Sequence, residues 1–148
     1  MNDVKKSNST EQMKAEEYLS KEAEKWICCK LEKNKRVWID ECVHIEPDLY
    51  SEEQGIICEV FAHIGKLKNG QQHKISQDIL KMILLEKCKR KTYRKVFIIA
   101  DEQVEKYLKG QSFIAEAIRK FNIEVKRIEL LSEIKDSVLN AQKRQVME

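Results

Sequence analysis

A chain of 148 residues with 42% hydrophobic and 36% charged residues can bury one core, which excludes wholesale disorder and leaves little room for a second domain. Four Gly and one Pro exclude a turn-rich sandwich or a linker protein, and a formal charge of +3 is far from that of a histone-like binder. Any nucleic-acid contact must come from a local patch.

Residues 1–10 are polar and aperiodic and read as a flexible tail, ahead of an α/β domain over 11–130 and a C-terminal amphipathic helix over 131–148. MNDVKKSNST lacks the apolar stretch of a signal peptide, and no apolar run approaches the roughly 18 residues that span a bilayer. A cytoplasmic protein without a membrane partner is expected. Cys28, Cys29, Cys42, Cys58 and Cys88 form no CxxC and no zinc-module spacing, so reduced, packing cysteines are expected.

From Glu11 to about Lys33, Leu19, Ala23, Trp26, Ile27 and Leu31 recur at helical steps among Glu and Lys. Arg36 to Ile45 alternates, with Val37, Ile39, Val43 and Ile45 on one parity, and predicts a half-buried strand. Pro47 cannot donate to a ladder, which puts Glu46-Pro47-Asp48 at a strand edge or end, with Leu49 and Tyr50 as a brief second strand. Ser51 to Gly55 is turn-like, and IICEVFA from Ile56 to Ala62 predicts a strand buried on both faces. After a loop from Gly65 to Gly70, Ile75, Ile79, Met82, Ile83 and Cys88 mark a second helix with a basic C-terminal end. Val96 to Ala100 predicts a central strand followed by Asp101 as an N-cap. A helical stripe from Phe113 to Phe121, a strand from Ile123 to Leu130 and a helix from Leu131 to about Val146 complete the chain. The order α, β, β, β, α, β, α, β, α predicts a mixed central sheet flanked by helices.

Glu59 stands among Ile56, Ile57, Val60 and Phe61, where an ionised carboxylate loses hydration unless it is paired, coordinated or protonated. An edge-strand position, a salt bridge to a helix lysine or a place at the strand's end would each make it merely structural. Asp48, at the end of the preceding strand, meets Glu59 if a short antiparallel hairpin joins them. Two such carboxylates are hard oxygen ligands of the kind Mg²⁺ or Mn²⁺ takes, and such an ion supplies phosphodiester hydrolysis chemistry.

Glu46-Pro47-Asp48-Leu49 followed by Ile57-Cys58-Glu59-Val60-Phe61, in a helix, three strands, helix, strand order, resembles the PD-(D/E)XK nuclease superfamily over about residues 11–130. The resemblance implies a restriction-endonuclease-like fold, with Asp48 and Glu59 as metal ligands and the Val60 carbonyl as a third. It implies a nuclease acting on nucleic acid, DNA in preference to RNA. The family's lysine position holds Phe61, so the cation must come from elsewhere, and Lys74 is the preferred substitute among Lys66, Lys68 and Lys74. Lys74, Asp78 and Lys81 share a helical face that can turn toward the carboxylates. Loss of that lysine leaves an alternative, a catalytically silent nuclease-like fold that binds nucleic acid or protein.

His63 shares parity with Glu59, Gln71 and Gln77 flank the second helix's start, and Glu17 or Glu22 is a first-helix acid that can face the metal. KCKRKTYRK, Lys87 to Lys95, has six Lys or Arg in nine residues. With Lys66 and Lys68, its Lys89, Arg90 and Lys91 are the expected phosphate-backbone contacts. The terminal helix is a candidate homodimer surface.

Overall fold

The computed structural model describes the backbone of residues 2–147 and the side chains of residues 10–145. Five strands make one mixed sheet in the order β1 (Glu32–Lys33), β4 (Leu49–Ser51), β5 (Ile56–Phe61), β6 (Arg94–Ile99) and β7 (Ile123–Arg127). The first two pairings are antiparallel and the last two parallel. Helices α1 (Asn2–Ile27) and α5 (Ser132–Met147) cover one face, and α2 (Asn69–Lys89), α3 (Glu102–Leu108) and α4 (Phe113–Lys120) the other.

The two apolar runs, IICEVF and VFII, become β5 and β6, which are covered on both faces and so need no polar alternation. Side-chain parity divides the core in two. Ile57 and Phe61 join Ile75, Ile79, Met82 and Leu85 of α2, while Ile56, Cys58 and Val60 join Ala15, Leu19 and Ala23 of α1 and Val138 of α5. Each such large side chain withdrawn from water is worth about 1.5–3 kcal/mol. Asp101 caps α3 by accepting from the Gln103 and Val104 N–H groups, and Ser112 caps α4 through Ala115 N–H.

Three expectations are corrected. The first helix stops at Ile27 instead of running to about Lys33, because Cys28 takes a left-handed backbone (φ 61°) and Leu31 N–H turns back to Glu24 Oε2 at 2.9 Å. The freed Glu32–Lys33 then pairs with β4 as the sheet's edge. Arg36 to Ile45 is not one strand but a separate two-stranded hairpin, β2 (Val37–Trp38) with β3 (His44–Ile45). Asp40 breaks it, since Oδ1 accepts from both Cys42 and Val43 N–H at 2.7 Å, an Asx turn that competes with the ladder. The last strand is shorter than expected and ends at Arg127.

The backbone of α1 runs through the segment expected as a tail, whose side chains before Thr10 lie outside the described residues, as does the structure of Met1. Val138 and Ala141 of α5 are buried within the chain itself, against the α1 face. Among the described residues all five cysteines are free, and no helix is long and apolar enough to cross a membrane.

Candidate active site

The register of β4 on β5 pairs Leu49 with Cys58, so the next step outward sets Asp48 opposite Glu59. Asp48 Oδ2 accepts from Val60 N–H at 2.8 Å, which fixes that carboxylate against β5. Glu59 is 1% exposed and shares the α2-facing parity of Ile57 and Phe61. Its Oε1 has no hydrogen-bond partner among the described residues.

Helix α2 brings three charges to this point because Lys74, Asp78 and Lys81 lie on the stripe that buries Ile75, Ile79 and Met82. Lys81 Nζ is 3.7 Å from Glu59 Oε1 and 3.2 Å from Asp78 Oδ1, and Lys74 Nζ is 3.5 Å from Asp78 Oδ2. Asp78 is as deeply buried as Glu59, at 2% exposure. Glu59 is thus approached by an ammonium without being clasped by one.

Burial pushes the Glu59 carboxyl far above the usual carboxylate range, and the charges of Asp48 and Asp78 and a hydrogen bond with Asp48 add to it. The Lys81 ammonium opposes that shift and is outweighed. These influences favour the neutral acid form of Glu59, hydrogen-bonded to Asp48. Lys81 lies closer to Asp78 than to Glu59; burial raises the Asp78 pKa, and the two lysines oppose it. Burial disfavours the Lys81 ammonium as well, yet its acidic neighbours hold its pKa above the ordinary lysine value.

The first-helix acid that responds to the carboxylates is Glu16; Glu17 lines a cavity at Asp48 beside it, and Glu22 does not. Burial raises the Glu16 pKa, the Gln12 amide at 3.4 Å opposes that, and Glu16 feels the charges of Asp48 and Lys74. Glu17 and Glu22 also pair with Lys21 and Lys25 along the helix. Ala15 and Leu19 were the available signal, because a wheel anchored on those two buried positions turns Glu16 inward beside them.

The expected substitute lysine, Lys74, reaches Asp78 and not Glu59; Lys81 is the lysine that approaches the acid. Lys66 and Lys68 are exposed in the loop after β5, close to this end of the sheet. Lys89, Arg90 and Lys91 are not brought to the site. They close the far end of α2, about 18 Å along the helix from Asp78. There Lys91 donates to the Glu52 carbonyl at 2.8 Å and lies over the Tyr93 ring. His63 sits with Nε2 3.0 Å from the Lys66 carbonyl, and Gln71 accepts from Lys68 N–H at 2.6 Å. Gln77 is exposed.

Two cavities flank the Asp48 end of β5. One of about 430 Å³ is lined by Met13, Glu16, Asn34, Asp48 and Val60, and one of about 460 Å³ by Glu16, Val60, Phe61, His63 and Lys74. Glu59 lines neither of them.

A carboxylate pair with one unbonded buried oxygen suits a hard divalent cation, which takes one or two protein carboxylates and keeps several waters. Among the described residues no group of three or more His, Cys, Asp or Glu is arranged to hold a metal. A cation here would therefore rest on Asp48 and Glu59, with the Val60 backbone beside them. Such a donor set fits Mg²⁺ or Mn²⁺ and lacks the sulfur and imidazole ligands of a zinc site. Comparison of this chain with protein-family models, with curated proteins and with solved structures finds no match in any of the three.

Proposed function

We propose that this protein is a divalent-metal-dependent nuclease of restriction-endonuclease-like fold, hydrolysing phosphodiester bonds of nucleic acid, DNA in preference to RNA. The reading is carried by Glu59, a buried acid opposite Asp48 on the neighbouring strand, whose orphan oxygen has Lys81 at 3.7 Å. A stability-driven core would place an apolar residue there. A bound Mg²⁺ or Mn²⁺ supplies charge neutralisation at the phosphoryl oxygen and an acidified water. Asp48 and Glu59 would hold that cation, with the Glu59 proton released to solvent. Lys81, positioned by Asp78, takes the place of the lysine that Phe61 displaces and donates hydrogen bonds to the phosphate's developing charge. Lys74 neutralises the second side of Asp78.

Cleavage of labelled DNA and RNA with Mg²⁺ or Mn²⁺ tests this. Wild type should cut, while Asp48→Asn, Glu59→Gln and Lys81→Met should each lose activity; equal cleavage by wild type and Glu59→Gln, or none by any of them, refutes it. The second reading, a silent nuclease-like module, is favoured by one observation: Glu59 lines neither cavity and is all but inaccessible. Nucleic-acid binding that survives Glu59→Gln, with no metal uptake by wild type, would establish that reading.

A further inference from the structure

The loop after β5 is fastened to α5 by one side chain. Gln142 Oε1 accepts from Ile64 N–H at 3.0 Å while its Nε2 donates to Ile64 O at 2.9 Å, so the amide stands in for a neighbouring strand. That clasp opens a cleft of about 500 Å³ between α5 and the start of α2, lined by His63, Lys68, Gln71, Leu139, Lys143 and Gln145. His63, Gln71, Gln142 and Gln145 also line the cavity that reaches Glu16, Val60 and Lys74. The two spaces therefore share a wall, and the second borders Glu16 and Val60, which also line the cavity at Asp48.

The chemistry of this cleft is one-sided. Its formal charges are the ammoniums of Lys68 and Lys143, and neither has an ion pair among the described residues. Lys74 and Lys81, beside the carboxylates, are paired with Asp78, whereas Lys68 and Lys143 face the cleft with no acidic partner among the described residues. The neutral donors and acceptors of Gln71 and Gln145 and the apolar side of Leu139 complete the lining. Two unbalanced cations, amides able to pair with base edges, and an apolar wall suit a phosphodiester strand with its bases unpaired. The volume falls in the range of small-ligand pockets, room for a nucleotide or two and not for a duplex.

We propose that this cleft holds the single-stranded segment adjoining the scissile phosphate, so that the substrate is a free or frayed polynucleotide strand, with Lys68 and Lys143 gripping its phosphates. This inference rests on the nuclease reading for the words scissile phosphate and on the cleft alone for strand binding. The basic end of α2, rich in charge, is excluded from this cleft because it lies at the opposite end of that helix.

Fluorescence anisotropy with the full chain, in the absence of divalent metal, reads the binding directly. The probes are a labelled single-stranded DNA, the same strand as a duplex, and a single-stranded RNA of matching sequence. Single strands should bind more tightly than the duplex, and the two single-stranded probes separate the DNA and RNA sources of the same backbone chemistry. The Lys68→Glu, Lys143→Glu double variant should weaken single-strand binding and flatten its salt slope by about 1.4, from about 0.7 per phosphate contact on a single strand. Lys89→Glu with Arg90→Glu, on the remote patch, should leave both unchanged. Both pairs are exposed, and circular dichroism confirms that each variant folds. Duplex binding as tight as single-strand binding, an unchanged double variant, or loss of binding in the remote variant instead, overturns the cleft. Cleavage measured alongside separates the two readings: strand binding through Lys68 and Lys143 with no cleavage retires the nuclease and keeps the cleft. Cleavage lost in Glu59→Gln but indifferent to Lys68 and Lys143 retires the cleft alone, and neither binding nor cleavage retires both.

Discussion

Replacing Glu59 by Gln should make the protein more stable at neutral pH, although it removes a charged residue type from beside a lysine. The carboxyl's ordinary pKa is 4.5, and in the fold it is pushed up to about 10, first by burial and then by Asp48 and Asp78. Because the folded value is the higher one, the folded chain keeps a proton that the unfolded chain releases. Stability from this group is then full below pH 4.5 and declines as pH rises toward 10. At pH 7 the decline covers 2.5 pH units, which at about 1.4 kcal/mol each sets an upper bound of about 3–4 kcal/mol. Lys81 at 3.7 Å offsets part of this, so a gain of about 1–3 kcal/mol is expected from a neutral amide that still donates to Asp48. In a chain of this size that is a rise of several degrees in Tm, on the order of 2–4 °C per kcal/mol. Urea unfolding followed by circular dichroism from about pH 5 to pH 8 measures it, with the wild-type deficit growing by up to about 1.4 kcal/mol per pH unit. A Gln variant less stable than wild type at pH 7, or a difference that does not vary with pH, would mean that Glu59 is ionised against Lys81 and would refute the reasoning.

Mn²⁺ binding should release about one proton, from Glu59, so calorimetric titration in two buffers of different ionisation heat should give different apparent enthalpies and affinity should rise with pH up to about 10. Asp48→Asn should abolish both effects. Lys81→Met should cost about 10²–10³ in kcat, the cost of removing a transition-state donor, while Lys74→Met should cost under about tenfold; a reversed order would return the catalytic role to Lys74. Gln142→Ala should destabilise by about 1–3 kcal/mol by stripping both hydrogen bonds from Ile64, and hydrogen exchange at Ile64 N–H should accelerate more than at Ile57. Lys95→Met should cost about 2–4 kcal/mol in urea unfolding, since it leaves Glu86, 2.6 Å away, without its buried partner; a neutral outcome would show the pair to be dispensable.

The two carboxylates were legible because strand parity and the Pro47 break fix them without knowledge of any other element. IICEVFA pointed to a strand buried on both faces, and a short antiparallel hairpin, one arrangement among those open to the sequence, is what sets Asp48 opposite Glu59. The lysine was not legible to the residue. Lys74, Asp78 and Lys81 lie along one helical stripe, and which lysine meets the strand depends on how far α2 slides along the sheet, a property of tertiary packing. The basic run at Lys87 to Lys95 lies away from the carboxylates for a related reason, since charge density says nothing about which end of a helix faces the site. The false strand from Arg36 to Ile45 shows alternation overridden by one Asx turn. The polar trio Asp40-Glu41-Cys42 was its only trace in the sequence.

The two tryptophans of the chain give the molecule a pair of built-in optical reporters on separate parts. Trp26, at the close of α1, sits between the Arg94 and Lys126 cations at 5.1 and 5.2 Å, while Trp38 leans on His44 at 4.9 Å within the small hairpin. Both are partly open to water, so their emission shifts when those neighbours leave. Single Trp→Phe replacements would therefore let one spectrum follow the undocking of the long helix and another the peeling of the hairpin, with no dye attached to either.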